Sequence, residues 1–228
     1  MREIVLDIET TGLNVKDGHR IVEIGCVELY NYLPTGKIYQ VYINPQRDMP
    51  LEAYNIHGLS EDFLQNHNVF KDHVSEFLNF IKKDTLIIHN AIFDLTFLNF
   101  ELKKLNYKEI SFSRVKDTMK IARKKFPRTS VSLDALCRRF RINNSKRNKH
   151  GALLDSQILA SVYLELIGGR QQFLSLDIQD NLSDTIDLSP VIKKIRTRRF
   201  TDKICSKEKN AHDLLIKKLK NPIWNKKT

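Results

Sequence analysis

The first 44 residues restrict what the chain can fold into more than any other stretch. Residues 3–10 (EIVLDIET), 20–30 (RIVEIGCVELY) and 36–44 (GKIYQVYIN) are rich in Ile, Val and Tyr, the composition of strands. Short turns with Gly18, Pro34 and Gly36 separate them, which predicts an antiparallel three-strand meander. Downstream the hydrophobic period changes. Val74–Ile81 has helical spacing, TLIIHN (Thr85–Asn90) reads as a buried strand, and a helix follows from about Phe93 to Leu105. DTMKIARKKF and SLDALCRRF are two more helical stretches, the second with Ser132 placed as N-cap. A last helix runs from about Ala152 to Ile167 and stops at Gly168-Gly169. The expected fold is α/β, a mixed central sheet of meander plus parallel strands flanked by helices, complete near residue 169.

Within the first strand, Asp7 and Glu9 are two residues apart and project from one face. Two carboxylates 4 Å apart repel by roughly 4 kcal/mol at an effective dielectric of 20. On an open face water screens this; in a cleft a proton or a cation must offset it. The strand alone leaves both readings open, because Ile4, Leu6 and Ile8 facing the core is compatible with an acidic face in water. Two other segments bear on the choice. Asp94 follows the end of the Thr85–Asn90 strand, and strand ends of open α/β sheets are where ligand crevices form, although a simple charge at a helix start gives the same pattern. In HGALLD (His150–Asp155), Gly151 loosens the entry to the last helix, leaving His150 on a loop and Asp155 pointing inward. Four carboxylates without Cys make a hard oxygen donor set, suited to Mg²⁺ or Mn²⁺ rather than to structural zinc. Histidine, with an ordinary pKa of about 6.5, is matched to proton abstraction near neutral pH. Phe93, beside Asp94, reads as core.

DIETTG, HNAIFD and HGALLD together resemble, in order and approximate spacing, the three motifs of the DEDDh 3′–5′ exonucleases. Within that family the chain is most similar to the proofreading epsilon subunits of bacterial DNA polymerase III, and SLDALCRRF, NNSKR and LLDSQILASVYL extend the likeness over nearly the whole chain. The resemblance implies a ribonuclease H-like fold and hydrolysis of mispaired 3′-terminal nucleotides from DNA. It implies Asp7, Glu9, Asp94 and Asp155 as ligands of two divalent cations, with His150 as general base. Asp7, Glu9, Asp155, Thr10 and Leu13 would meet the terminal nucleotide, Leu13 wedged against the last base, and LEAYNIHGLS nominates Glu52 and His57 as pocket lining. An RNA-trimming DEDDh enzyme has the same chemistry and differs in contacts to a 2′-hydroxyl, which no motif here reports. A catalytically silent replisome adaptor is opposed by the presence of all five chemical residues.

A net charge of +11 favours a polyanionic partner. Arg138, Arg139, Arg141, Lys146, Arg147 and Lys149 precede His150 and can guide a DNA backbone toward it, with a solvated helix face the alternative for the first three. Past residue 169 the composition changes. Asp177–Asp187 holds four aspartates and no Lys or Arg, and Lys193–Arg199 holds five basic residues. Such blocks mark a flexible or partner-dependent segment, so an exonuclease domain at 1–169 and a C-terminal segment at 170–228 are expected. QQFLSL (Gln171–Leu176) resembles the sliding-clamp-binding motif of epsilon subunits, with Gln171, Leu174 and Leu176 as anchors. The ending HDLLIKKLKNPIWNKKT resembles their segment for the polymerase catalytic (alpha) subunit, Trp224 closing an apolar face with Leu214, Leu215, Leu219 and Ile223; a helix folded back on the core is the alternative. No run of about 18 apolar residues and no signal-peptide pattern is found. Cys26, Cys137 and Cys205 are far apart, read as small apolar residues and fit a reducing compartment. A cytoplasmic protein of the bacterial replisome, without a membrane partner, is expected.

Overall fold

The computed structural model describes residues 1–145, 147, 149–168 and 205–218. The chain divides into two compact units, Met1–Leu176 and Asp177–Thr228. Gln171, Leu174, Leu176 and Trp224 lie outside the described residues.

In the first unit, strands β1 (Arg2–Thr10), β2 (Ile21–Tyr30) and β3 (Leu33–Tyr42) form the expected meander. Helices α1 (Leu51–His57), α2 (Glu61–Gln65) and α3 (Phe70–Ile81) lead into β4 (Thr85–Ile88), α4 (Ala91–Lys104) and β5 (Val115–Asp117). Then come α5 (Thr118–Lys125), α6 (Leu133–Phe140) and α7 (Ala152–Leu166). The sheet order is β3-β2-β1-β4-β5, with β4 and β5 joining parallel to β1. In the second unit α8 (Ser206–Lys218) leaves Leu214 and Leu215 exposed. No helix of the described residues is long and apolar enough to cross a membrane.

Central placement decides the character of β1. Ile4, Leu6 and Ile8 pack with Phe77, Leu95 and Leu98 of α3 and α4. Val5, on the other face, packs with Leu159 and Tyr163 of α7. By the two-residue period, Glu3, Asp7 and Glu9 share that second face. This is therefore no open acidic face: α7 covers it fully at Glu3 and Val5, and Asp7 is half-buried where the face meets a cleft. Both layers are large apolar cores, and each fully buried Leu, Ile or Phe contributes about 1.5–3 kcal/mol. Glu3, fully buried at the far end of this face, is matched by Lys116 Nζ at 2.7 Å and by the Tyr163 hydroxyl at 3.1 Å.

Local details differ from expectation in three places. The β2–β3 turn is Asn31-Tyr32, both at positive φ (49° and 70°), a two-residue turn whose twist suits a hairpin. Pro34 and Gly36 lie inside β3, an edge strand where a missing N–H is tolerated. Short helices α1 and α2 occupy residues with no long apolar period, and Cys205 is exposed while Cys26 and Cys137 are buried. Ser132 caps α6 as expected, its hydroxyl accepting from the Ala135 N–H.

Candidate active site

The sheet register fixes where the acidic pair points. Asp7 stands opposite Gly25 and Glu9 opposite Glu23, with a bulge directly after Glu9. Helix α7 starts against this spot. A Cβ on Gly25 would lie 2.2 Å from the backbone of Ala152 and Leu153, so only glycine admits the helix there. Ser156 Oγ donates to the Gly25 carbonyl at 2.9 Å, and the Ala152 N–H donates to Glu23 Oε2 at 3.0 Å. Buried Glu23 thus caps α7 from across the sheet, since the residue before the helix is Gly151 with no side chain to do so. The loop is held from its other side, where the His150 N–H donates to the Ile56 carbonyl of α1. Asp155, in the first turn of α7, is in this way brought to Asp7 and Glu9. Asp94 arrives from α4, which begins directly after β4 on left-handed Asn90 (φ 70°).

Asp7, Glu9, Asp94, His150 and Asp155 line one cleft. Glu9, Asp94 and Asp155 are 9%, 2% and 3% exposed, too little for water to screen their mutual repulsion. Burial, then Asp94, Glu9 and Asp155, holds Asp7 well above the usual carboxylate range. Glu9 is pushed up to about 8 by burial, then by Asp155 and Glu23. Burial pushes Asp94 up to about 8 as well, against backbone hydrogen bonds at its own residue and Ile8. Asp155 goes the other way: burial opposes its ionisation, but His150 and Arg147 outweigh it and set the carboxyl below its ordinary value. Arg147 Nε and Nη2 donate to the two Asp155 oxygens at 2.5 and 2.7 Å, and Nη1 donates to Asp134 at 2.7 Å. His150 Nδ1 stands 3.3 Å from Asp155 Oδ2. One ligand atom each from Glu9, His150 and Asp155 lie within 4.8 Å of one another, a group able to hold a metal ion. Among the described residues Asp7 and Glu9 form no ion pair. Arg147 is near enough to favour their ionised forms, but it bonds to neither and is outweighed by burial and the other carboxylates. Carboxylates left repelling each other in this way are stabilised by a divalent ion, and oxygen donors select a hard one.

A second cleft of about 500 Å³ adjoins the first through Ile8, Glu9 and Phe93, which line both. Thr10, Leu13, Glu52 and His57 all line it. Leu13 is 84% exposed, so it is no core residue. Thr10 Oγ1 donates to the Gly12 carbonyl at 2.6 Å, shaping the turn that presents Leu13. Glu52 is exposed in the first turn of α1. His57 is buried; its Nδ1 accepts from the Leu59 N–H at 3.0 Å, which leaves the ring proton on Nε2. Burial keeps His57 neutral, its pKa down to about 4.

The exonuclease family (RNase_T) is matched over residues 4–163. DNA polymerase III subunit epsilon of Rickettsia prowazekii (strain Madrid E) is 47% identical over 223 residues, 96% of this chain and 97% of that protein. The chain belongs to the exonuclease family, among the DNA polymerase III epsilon subunits. That of Escherichia coli (strain K12) is 47% identical over 176 residues, 74% of this chain and 72% of its own. In fold, the chain is similar to the nuclease domain of 3′hExo, a DEDDh family member bound to rAMP (TM-score 0.64, 19% identity, 75% of this chain and 94% of that one). It is also similar to exonuclease X in complex with 5′ overhanging duplex DNA (TM-score 0.57, 22% identity, 72% and 90%). These likenesses agree with the mixed sheet and its helical layers, the ribonuclease H-like arrangement.

In this member of the exonuclease family several structural residues of the site escape sequence reading. Gly25 and Glu23 sit in a strand that shows only its Ile/Val pattern. Phe93 is half-buried, stacks near Phe97 with ring centres 5.0 Å apart, and also faces both clefts. Arg147, taken from sequence as one of a run of backbone guides, is instead folded into the site. Lys149 Nζ lies over the Tyr54 ring at 4.8 Å and the Arg139 guanidinium over Phe126 at 4.4 Å, whereas Arg138 and Arg141 are exposed. Lys146 lies outside the described residues.

Proposed function

We propose that this exonuclease hydrolyses 3′-terminal nucleotides of DNA, mispaired ones during replication, with Asp7, Glu9, Asp94 and Asp155 holding two Mg²⁺ or Mn²⁺ ions and His150 acting as general base. The observation that carries the reading is the convergence of carboxylates from β1, α4 and α7 on one cleft with a histidine at its rim. When bound, such ions activate a water and stabilise the leaving 3′ oxygen. The chain's own residues supply the rest. His150, 47% exposed, can meet a water, and when its Nδ1–H donates to Asp155 Oδ2, 3.3 Å away, the other nitrogen is the one that takes the proton. The adjoining cleft is of a size for one nucleotide. Leu13 stands exposed at that cleft to press on the terminal base, Thr10 and Glu52 line it, and neutral His57 offers a hydrogen bond without adding charge.

DNA is favoured over RNA by the naming of the 47%-identical relative as a DNA polymerase subunit. Residues 170–228 are the segment for partners: Gln171, Leu174 and Leu176 for a sliding clamp, and the end around Trp224 for the polymerase catalytic subunit. The alignment with the Rickettsia protein, which extends past residue 169 on coverage alone, supports a tail of shared role, as does exposure of Leu214 and Leu215 on α8. A cytoplasmic site of action at the replisome follows from that role.

Digestion of matched 3′-labelled DNA and RNA primers, paired and mispaired, tests the reading. Mononucleotide release from DNA, fastest at a mispaired end and abolished by chelator, is expected. Preference for RNA, or cleavage unaffected by chelator, overturns it. Deleting residues 170–228 is expected to spare hydrolysis of free oligonucleotides and to lose co-purification with polymerase; retention of the complex contradicts the role of the tail.

A further inference from the structure

We propose that Arg147 is a positioning residue that exchanges with a divalent ion at Asp155, locking Asp155 and His150 in a resting arrangement until the ion binds. This rests on the metal-site reading above.

The first support is that the same atoms serve both. The Arg147 side chain is only 8% exposed, and its fork covers both Asp155 oxygens at 2.5 and 2.7 Å. Its Nη2 also donates to His150 Nδ1 at 2.8 Å. Asp155 and His150 are two of the three residues whose ligand atoms cluster with Glu9 within 4.8 Å. A guanidinium engaging a carboxylate through two parallel N–H groups uses lone pairs that an ion needs, and it repels that ion.

The second support is the histidine. Guanidinium nitrogens only donate, so the His150 nitrogen facing Arg147 must accept, and a neutral ring then carries its proton on Nε2. In that arrangement neither nitrogen is free to take a proton from water. Once Arg147 withdraws, Nδ1 can carry the proton and donate to Asp155 Oδ2, 3.3 Å away, and Nε2 becomes the acceptor. Loading of the ion and release of the base are thereby one event.

The third support is placement. Glu3, on the same face of β1, has a cation from strand β5, Lys116, as a fixed counter-ion. Arg147 comes instead from the loop between α6 and α7, so its withdrawal breaks no backbone bond of a strand or helix, only its side-chain bonds to Asp155, His150 and Asp134 at the start of α6.

The test uses the full chain without nucleic acid. Mn²⁺ binding is measured by calorimetry for wild type, Arg147→Gln and Arg147→Lys, and the His150 tautomer of wild type is followed by ¹⁵N NMR during Mg²⁺ addition. Arg147→Gln is expected to bind Mn²⁺ about tenfold tighter, in the range of coupling between neighbouring charges. Arg147→Lys, which keeps the charge but not the fork, should fall between. The wild-type His150 proton is expected on Nε2 without Mg²⁺ and on Nδ1 with it. Equal or weaker Mn²⁺ binding by Arg147→Gln, or a tautomer unmoved by Mg²⁺, overturns the proposal, and the NMR arm stands even if a variant misfolds. Absence of Mn²⁺ binding by wild type instead overturns the metal site itself.

Discussion

Replacing Glu9 by glutamine should make the protein more stable in the absence of divalent ions, although Glu9 is assigned to the catalytic centre. The carboxyl is 9% exposed and raised from an ordinary 4.5 to about 8, by burial first and then by Asp155 and Glu23. The sign follows from linkage. Below pH 4.5 the group is protonated in both states and contributes nothing. Between 4.5 and 8 the folded chain holds a proton that the unfolded chain has released, so stability falls as pH rises, and the full penalty is reached above pH 8. At pH 7 the penalty is ~3 kcal/mol, from the 1.36 kcal/mol that each pH step is worth. Glu9→Gln removes it while keeping the shape. For a chain of this size that corresponds to a melting point higher by about 6–12 °C. Thermal melts followed by circular dichroism in EDTA at pH 5, 7 and 8 give the answer. The gain should be small at pH 5 and grow with pH, and saturating Mg²⁺ should raise wild type much more than the variant. A variant that melts at or below wild type at pH 7 in chelator, or a gain independent of pH, would refute the clustered-charge reasoning.

Gly25→Ala is expected to cost about 1–3 kcal/mol or more in urea unfolding, and to lower nuclease activity under conditions where the fold persists, since the added methyl displaces the start of α7; unchanged stability and rate would show that α7 does not depend on this close approach. His150→Gln should lower kcat by about 10²–10⁴ while Mn²⁺ binding persists, and an unaltered kcat would remove the histidine from base catalysis. Leu13→Ala, at a position 84% exposed, should leave stability within about 0.5 kcal/mol and raise KM for oligonucleotides; an unchanged KM would take Leu13 out of substrate contact.

Much of this site is readable from sequence because its chemistry sits at element ends. Asp7 and Glu9 close β1, Asp94 opens α4 and Asp155 opens α7, so short acidic motifs next to recognisable strands and helices locate all four. The pattern of Ile4, Leu6 and Ile8 gives one buried face of β1. It does not show that the opposite face is also covered, because that depends on α7, some 150 residues away. Gly25 and Glu23 are invisible for the same reason: their importance lies in a helix packed against them, and nothing in VEIGC reports it. Arg147 is a case where local context misleads. Surrounded by Lys146 and Lys149, it reads as part of a basic patch, yet the acidic cluster draws it inward. The β2–β3 turn misleads through composition, since Pro34 and Gly36 are stronger turn residues than Asn31 and Tyr32. Strand β5, three residues long, is too short for any period to show.

The most direct measurement is anomalous diffraction from crystals grown with Mn²⁺. Anomalous density is expected in the cleft, within coordinating distance of oxygens from Asp7, Glu9, Asp94 and Asp155. Crystals of protein that cleaves DNA with Mn²⁺, yet show no anomalous density among those four side chains, would contradict the claim that these carboxylates gather to hold the catalytic ions.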